Sequence, residues 1–448
     1  MPRFPDRTFV RSWLCAMALV VSARAAAAGP QPAPFVWRIP EGFPPPNVPA
    51  DNPMSEEKVL LGRFLFYDKR LSGNETQACA SCHQQEHAFT DGRSQALGST
   101  GEAHPRGAMS VANAAYAPTL GWANPILTSL EQQALVPMFG ETPVELGLAG
   151  KEMELLARFR ADGRYQRLFR EAFPDEADPL SIANITRAIS AFERTIITGN
   201  SALDRYFYQG EELSDSAERG LELFFFSERF ECFHCHGGFN LTASQTFEGE
   251  FEPEISFQNT GLYNIDGSGG YPRPNTGIHE ISGIPEDMGR FKPPTLRNIE
   301  LTAPYMHDGS LATLGDVLNH YAAGGRTIED GPHAGIGRDN PFKSQFVRGF
   351  QMTDREKDDL LNFLKSLTDW EFVSDRRLSD PFAQTGCAGD CALDGTVTIN
   401  ELITNVGVGL GDRTLANCLA GDVDGDGEIG VSELIRAVNA ALGGCSTP

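Results

Sequence analysis

Two copies of one short pattern constrain this chain more than any other feature: Cys79-Ala80-Ser81-Cys82-His83 and Cys232-Phe233-His234-Cys235-His236. Cys-x-x-Cys-His is the attachment pattern of a c-type haem. The spacing is set by chemistry. Two thiols about one helical turn apart add to the two vinyl groups of one porphyrin, and the adjoining imidazole lies under the iron as its proximal ligand. A structural zinc site wants a second ligand pair close by, and a thioredoxin-type redox pair wants a βαβ setting. The sequence around both copies offers neither. The pattern predicts two covalently bound haems c, attached at Cys79, Cys82, Cys232 and Cys235, with His83 and His236 on the irons.

The chain opens with Arg3, Arg7 and Arg11, followed by an apolar run from Trp13 to Val21 and then Ser-Ala-Arg-Ala-Ala-Ala-Ala-Gly. That order reads as a secretory signal peptide over residues 1–28. The run is too short to span a bilayer, and no later stretch is long and apolar enough to do so. The expectation is an exported, periplasmic protein, since c-type haem is attached in that compartment. A net charge of -23 argues against nucleic acid and anionic membrane surfaces as partners. It permits a basic partner such as a small cytochrome.

Residues 29–53 are Pro-rich and read as extended. Leu60, Leu61, Phe64 and Leu65 show helical spacing up to Asp68, and the first haem pattern follows. Ile185, Ile189, Phe192 and Ile196 predict a helix from Ile182, stopped at Thr198-Gly199. Ser216 to Phe226 predicts another, leading into the second haem pattern. The Gly- and Pro-rich stretch from Phe247 to Phe291 reads as loop. Thr313-x-x-Asp316 and Thr353-x-x-Glu356 are capping boxes that open two further helices. The resulting division is an N-terminal cytochrome domain over 54–208, a second over 209–370, a linker over 371–386, and a separate unit over 387–448.

In that last unit, Asp422, Asp424 and Asp426 alternate, Gly427 follows, and Glu433 stands at the twelfth position. This is the pattern of an EF-hand loop, with Glu428 at the place that donates a backbone carbonyl. Alternating carboxylates converge on Ca2+, the glycine permits the sharp turn, and the last Glu closes the site with both oxygens. Asp390, Asp394, Thr396 and Glu401 form an earlier copy, weakened by Ala392 at its third position. A solvated acidic loop is the plain alternative for either copy. Cys387, Cys391, Cys418 and Cys445 bracket the loops, and in an oxidising compartment they predict two disulfides with three pairings open.

Several blocks in order carry a wider resemblance. They are Leu-Phe-Tyr-Asp at 65–68, the first haem pattern, Ala-Phe-Thr-Asp-Gly at 88–92, Leu-Glu-Gln-Gln-Ala at 130–134, and Pro-Thr-Leu-Arg-Asn through Ala-Pro-Tyr-Met-His-Asp-Gly-Ser across 294–310. Residues 55–370 resemble the di-haem cytochrome c peroxidase and MauG superfamily. The run Phe-Gly-Glu-Thr-Pro-Val-Glu-Leu-Gly-Leu at 139–148 is similar to the MauG-like branch that includes the di-haem enzyme of methanobactin gene clusters. The resemblance implies a mainly α fold, with two c-type cytochrome domains packed face to face. H2O2 would react at the N-terminal haem. The tail lies outside the family core and resembles a dockerin-type EF-hand pair, which would add a docking partner.

The resemblance also implies roles for single residues. Tyr321 stands where the peroxidases of the family carry a Met ligand to the second iron, and where MauG carries a Tyr. It shares a helical face with Leu314, Val317 and Leu318, a placement that also suits an ordinary core tyrosine. A thioether raises an iron's potential, whereas a phenolate favours its higher oxidation states. Met306 and His307 are rival ligands in a loop. Ser99 stands where the peroxidases carry a His that blocks the first iron, which implies an open face there, with His87 and His104 as alternative blockers. Gln133 and Glu145 match the distal pair that would move a proton between the peroxide oxygens, and Glu141 could replace Glu145. Trp122 matches the indole between the haems. Thr302 and Pro304 match carbonyl donors to an inter-haem Ca2+, but Gly107 replaces the usual Asn.

Three functions follow. The first is a MauG-type oxidoreductase that uses H2O2 to reach a bis-Fe(IV)-like state and oxidises a residue of a partner protein, such as a Trp, by long-range electron transfer. The second is a cytochrome c peroxidase fed by a small electron-donor cytochrome. The third is a non-catalytic electron carrier with a calcium-dependent docking tail. Tyr321 and Ser99 favour the first; Met ligation would favour the second, and two six-coordinate haems the third.

Overall fold

The computed structural model describes residues 35–250, 252–382 and 387–445. The signal-peptide reading at 1–28 lies outside these residues. Among them no helix is long and apolar enough to cross a membrane.

The described chain is mainly helical. Its N-terminal half carries α1 (Glu56–Tyr67), α2 (Leu130–Phe139), α3 (Glu152–Arg160), α4 (Gly163–Ala172), α5 (Ile182–Glu193) and α6 (Ala202–Tyr208). The second half carries α7 (Asp215–Phe226), the single turn α8 (His279–Ser282), α9 (Leu314–Ala323) and α10 (Asp354–Lys365). A two-residue antiparallel ladder pairs β1 (Thr327–Ile328) with β2 (Gly335–Ile336). Side-chain caps start several helices, and α1 and α7 begin at Glu56 and Asp215, earlier than the sequence reading has them. Ser55, Ser129, Ser181 and Ser214 accept from amides of the first turn, and Thr313 and Thr353 close reciprocal capping boxes.

Each half is built on one helix crossing, and each crossing turns on a glycine. In α1, Gly62 faces α5 so closely that a Cβ would lie 1.9 Å from the Ala188 carbonyl oxygen. In α7, a Cβ on Gly220 would lie 2.1 Å from the Asp359 carbonyl oxygen of α10. Side chains around each contact complete the two cores. Leu61, Phe64, Leu65, Ile185, Ile189 and Phe192 fill the first, and Leu221, Phe224, Leu360, Phe363 and Leu364 the second. The same device therefore presents a haem pattern just beyond the first helix of each half.

Polar groups buried between the halves fix how they meet. Asn113 donates to the Thr198 carbonyl and to Asn240 Oδ1. Asp369 accepts from the Thr198 hydroxyl and from the Gly199 and Asn200 amides. Arg297 forks onto both Asp204 oxygens at 2.8 and 2.9 Å. The Pro-rich arm runs along the junction: Phe43 packs on Tyr116 and Phe239 under the Arg297 guanidinium.

The stretch read above as a linker, 371–386, is a packed strap as far as residue 382; residues 383–386 lie outside the described chain. Phe372 and Leu378 are buried in the N-terminal core. Arg63 donates to the Arg376 and Ser379 carbonyls, Tyr67 to Leu378, and Gln85 to Phe372 and Asp375. Phe372, Val373, Leu378 and Phe382, spread through an otherwise polar segment, were a sign of burial that the linker reading overlooks.

The tail adds α11 (Ile399–Gly409) and α12 (Val431–Gly443). It leans on the N-terminal half through buried Leu415 and Ile429, an Arg167–Glu428 ion pair at 2.8 Å, and a Thr414–Glu57 bond. The disulfides join Cys387 to Cys445 and Cys391 to Cys418, which selects one of the three pairings. Ile399, Ile403 and Val406 of α11 and its C-cap Leu410 are exposed, as are Val431, Ile435, Val438 and Leu442 at the same spacing in α12.

Candidate di-haem active site

Both haem patterns border one cavity of about 510 Å³, which also takes in Gln133, Glu145, Trp122, Thr302, Pro304 and Tyr321. Among the described residues the four thiols of the two patterns are free, whereas the tail cysteines are paired. Free thiols and two imidazoles around one mostly apolar cavity are the donor set that two haems c need.

A short 3-10 turn at Cys79–Ser81 sets the first pattern, and the Ser81 hydroxyl accepts from the Ala78 amide at its start. His83 Nδ1 lies 3.0 Å from the Phe89 carbonyl oxygen. Left-handed backbone at Ala88 and Phe89 turns that carbonyl back towards the ring. The bond puts the Nδ1 proton on the carbonyl side and leaves the Nε2 lone pair for iron. Burial lowers the ring's pKa, which favours the neutral, ligating form.

On the other side, α2 brings Gln133 to the cavity and the following loop brings Glu145. Burial raises the Glu145 carboxyl, so it is able to hold a proton. Glu141 is exposed and does not reach the cavity. Ser99 does not line the cavity either: its amide donates to the Glu145 carbonyl oxygen at 2.7 Å. His104 does line it, with Nδ1 lying 3.0 Å from the Arg106 amide nitrogen and 3.2 Å from the Arg106 carbonyl oxygen. His87 lies behind Gly92 of the lining and does not itself border the cavity.

The second pattern sits on a matching turn at Cys232–His234. Burial lowers the His236 ring to about 4, opposed by the facing carbonyls of Leu241 and Pro294. Tyr321, on α9, lines the same cavity: after desolvation, Cys235 and Cys232 are the groups that raise its phenol. The adjacent His320 points away and lies 3.1 Å from the Thr260 carbonyl oxygen. Of the rival ligands, His307 is stacked on Phe291 at 3.7 Å, with Nε2 unpartnered at the cavity. His234 faces outward, stacked on Phe346 and paired with Glu231.

Trp122 lies where the two halves meet. Its Nε1 donates to the Gly107 carbonyl at 3.0 Å, and its own carbonyl accepts the Lys292 amide. Thr302 and Pro304 line the cavity nearby. A Cβ at Gly107 would come within 3.1 Å of the Arg93 carbonyl oxygen, so an Asn ligand has no space without a shift.

In the tail, the carboxylates of Asp422, Asp424 and Asp426 lie within 4.8 Å of one another. Glu433 does not join them as the motif predicts. Its oxygens accept from the Val423, Asp424 and Gly430 amides, and the Glu428 carboxylate is taken by Arg167. The first loop brings no such trio together. Asp390 is bonded to the Asp394 and Gly395 amides, Asp394 to Thr396, and Glu401 to the Ala392 and Thr398 amides.

The sequence reading passed over Glu193 and Lys292, both buried at the cavity. Lys292 donates to the Thr119 carbonyl at 2.7 Å, and burial lowers it to about 8. A lysine inside Phe291-Lys-Pro-Pro and an acid ending an apolar helix face were the available signals.

The family described as di-haem cytochrome c peroxidase matches residues 56–212. A cytochrome-c peroxidase, IdrP1, of Denitromonas iodatirespirans is 34% identical over 373 residues, which cover 79% of this chain and 91% of that protein. The chain belongs to the di-haem cytochrome c peroxidase and MauG family. Methylamine utilization protein MauG of Methylorubrum extorquens is 32% identical over 335 residues, 74% of this chain and 83% of its own. The crystal structure of a MauG-like protein associated with microbial copper homeostasis matches with TM-score 0.76 and 52% identity, covering 78% of this chain and 99% of that one. The protein is thus a c-type di-haem oxidoreductase.

Proposed function

We propose that this family member works in the MauG manner: H2O2 oxidises the di-haem unit, and the equivalents leave by long-range transfer to a residue of a partner protein, such as a Trp. The observation that carries this reading is Tyr321 on the lining of the cavity that Cys232, Cys235 and His236 also border. The haems supply the two-electron oxidation by peroxide and hold its equivalents. The chain supplies the rest. Glu145 takes the proton from the inner peroxide oxygen and, with Gln133, returns it to the outer one, so that water leaves. With haem bound, Tyr321 would offer the second iron an oxygen donor that favours its oxidised states, and Trp122 would lie between the two halves as a stepping point for the equivalents. The likeness to a MauG-like protein supports the same choice.

The second reading, peroxide removal fed by a small cytochrome, draws support from the likeness to cytochrome-c peroxidases. One equivalent of H2O2 added to the diferric holoprotein separates the two. A near-infrared charge-resonance band supports MauG-type storage; simple turnover with a reduced cytochrome and no such band supports the second. The leader pattern supports a periplasmic location. The Asp422–Asp424–Asp426 trio supports Ca2+ in the second tail loop.

A further inference from the structure

Glu193 ends α5 and borders the cavity that holds the first haem pattern. Its side chain is 4% exposed, and Oε2 has no hydrogen-bond partner. Three charged or ionisable groups face it. Arg194 is already engaged by Glu131 of α2. The third is Cys79, whose thiol feels Glu193 first among its charged neighbours and Glu145 more weakly. From α1, Lys58 faces the Arg194–Glu131 pair. A buried carboxyl without its own cation resists ionising, and desolvation pushes this one up to about 8, so it ionises readily only where a positive charge, such as that of a ferric iron, stands near it. In so dry a place, the charge on a nearby iron acts on the carboxyl with little screening.

We propose that Glu193 is the redox-linked proton acceptor of the first haem. When the first iron goes from ferric to ferrous with one electron from an outer-sphere reductant, the Glu193 carboxylate binds one proton from water. When the electron leaves, the proton leaves. Charge in the cavity is conserved across the pair of steps. The inference rests on the family's haem and not on where the oxidising equivalents go. A protein that stored nothing after H2O2 would still show it.

The test is spectroelectrochemistry of the holoprotein, following the first haem between about pH 6 and pH 9. The reduction equilibrium constant of wild type should fall up to tenfold per pH unit, about 59 mV for one electron. In Glu193→Gln it should not vary with pH, while Glu145→Gln should keep the slope. A wild-type potential independent of pH, or a slope that survives in Glu193→Gln, overturns the proposal. Should Glu193→Gln fail to incorporate haem, the redox-difference infrared spectrum decides. A carboxylic C=O band that appears on reduction in wild type and persists in Glu145→Gln supports Glu193; its absence, or its loss in Glu145→Gln, overturns it.

Discussion

Replacing Gly220 by Ala tests the helix crossing that positions the second haem. The new methyl would sit 2.1 Å from the Asp359 carbonyl oxygen and 2.6 Å from Phe363 Cβ. Heavy atoms in contact normally stay about 3.5–4.0 Å apart. Both neighbours are fixed to backbone, so no rotamer change relieves the clash, and α7 and α10 must part by about 1 Å or more. Overpacking of this kind costs about 1–3 kcal/mol. Alanine recovers about 0.5–1 kcal/mol of helix propensity over glycine. The balance is a loss of up to about 2.5 kcal/mol. Urea unfolding of the holoprotein, followed at the haem absorbance, reads it. Gly163→Ala is the control: it lies in the first turn of α4, where a Cβ meets nothing within 4 Å. That variant should match wild type or gain up to about 1 kcal/mol. If Gly220→Ala is as stable as wild type, or Gly163→Ala loses as much, the close-approach argument is wrong.

Burial alone would raise the Glu131 carboxyl, but Arg194 and Asn52 bonded to it hold it at about 2. Its stabilising contribution should be complete above the ordinary value of 4.5 and fade as pH falls towards about 2. Acid unfolding should show this fading in wild type and lose it in Arg194→Gln. Burial pushes Asp422 up to about 6 despite the Gly427 amide and Arg164. Protons then compete with Ca2+, so calorimetry should find binding to the tail weakening below about pH 6 and abolished in Asp422→Asn; unchanged binding in that variant removes the site. Glu145→Gln should slow the reaction with H2O2 by about 10²–10⁴-fold in stopped flow, and Glu141→Gln should leave it unchanged. Equal effects would return the assignment to an open choice.

The two haem patterns stood out in the sequence because two thiols and an imidazole at this short spacing rarely fall together by chance, and both border one cavity. The starts of α9 and α10 were legible because their caps are local: Thr313 and Thr353 each act within one turn, whereas α2, α3, α4 and α6 were not read as helices. Glu145 could not be separated from Glu141 by pattern, since both lie in one Glu-rich loop; burial against the cavity distinguishes them. Residues 371–382 read as linker because their partners, Arg63, Tyr67 and Gln85, lie about three hundred positions earlier. Glu193 and Lys292 escaped for a related reason. A buried charge looks like a surface charge until the elements around it are placed. The Glu433 carboxylate is the reverse case: its motif was clear, but loop amides hold both oxygens in this structure.

The ligand opposite His236 is the most direct test of the whole account. Magnetic circular dichroism and electron paramagnetic resonance of the diferric holoprotein read it without any turnover. The account predicts an oxygen ligand whose signature disappears in Tyr321→Phe and is replaced in Tyr321→Met by a sulfur-to-iron charge-transfer band. A wild-type protein that already shows the sulfur band, or a ligand signature untouched by Tyr321→Phe, contradicts it.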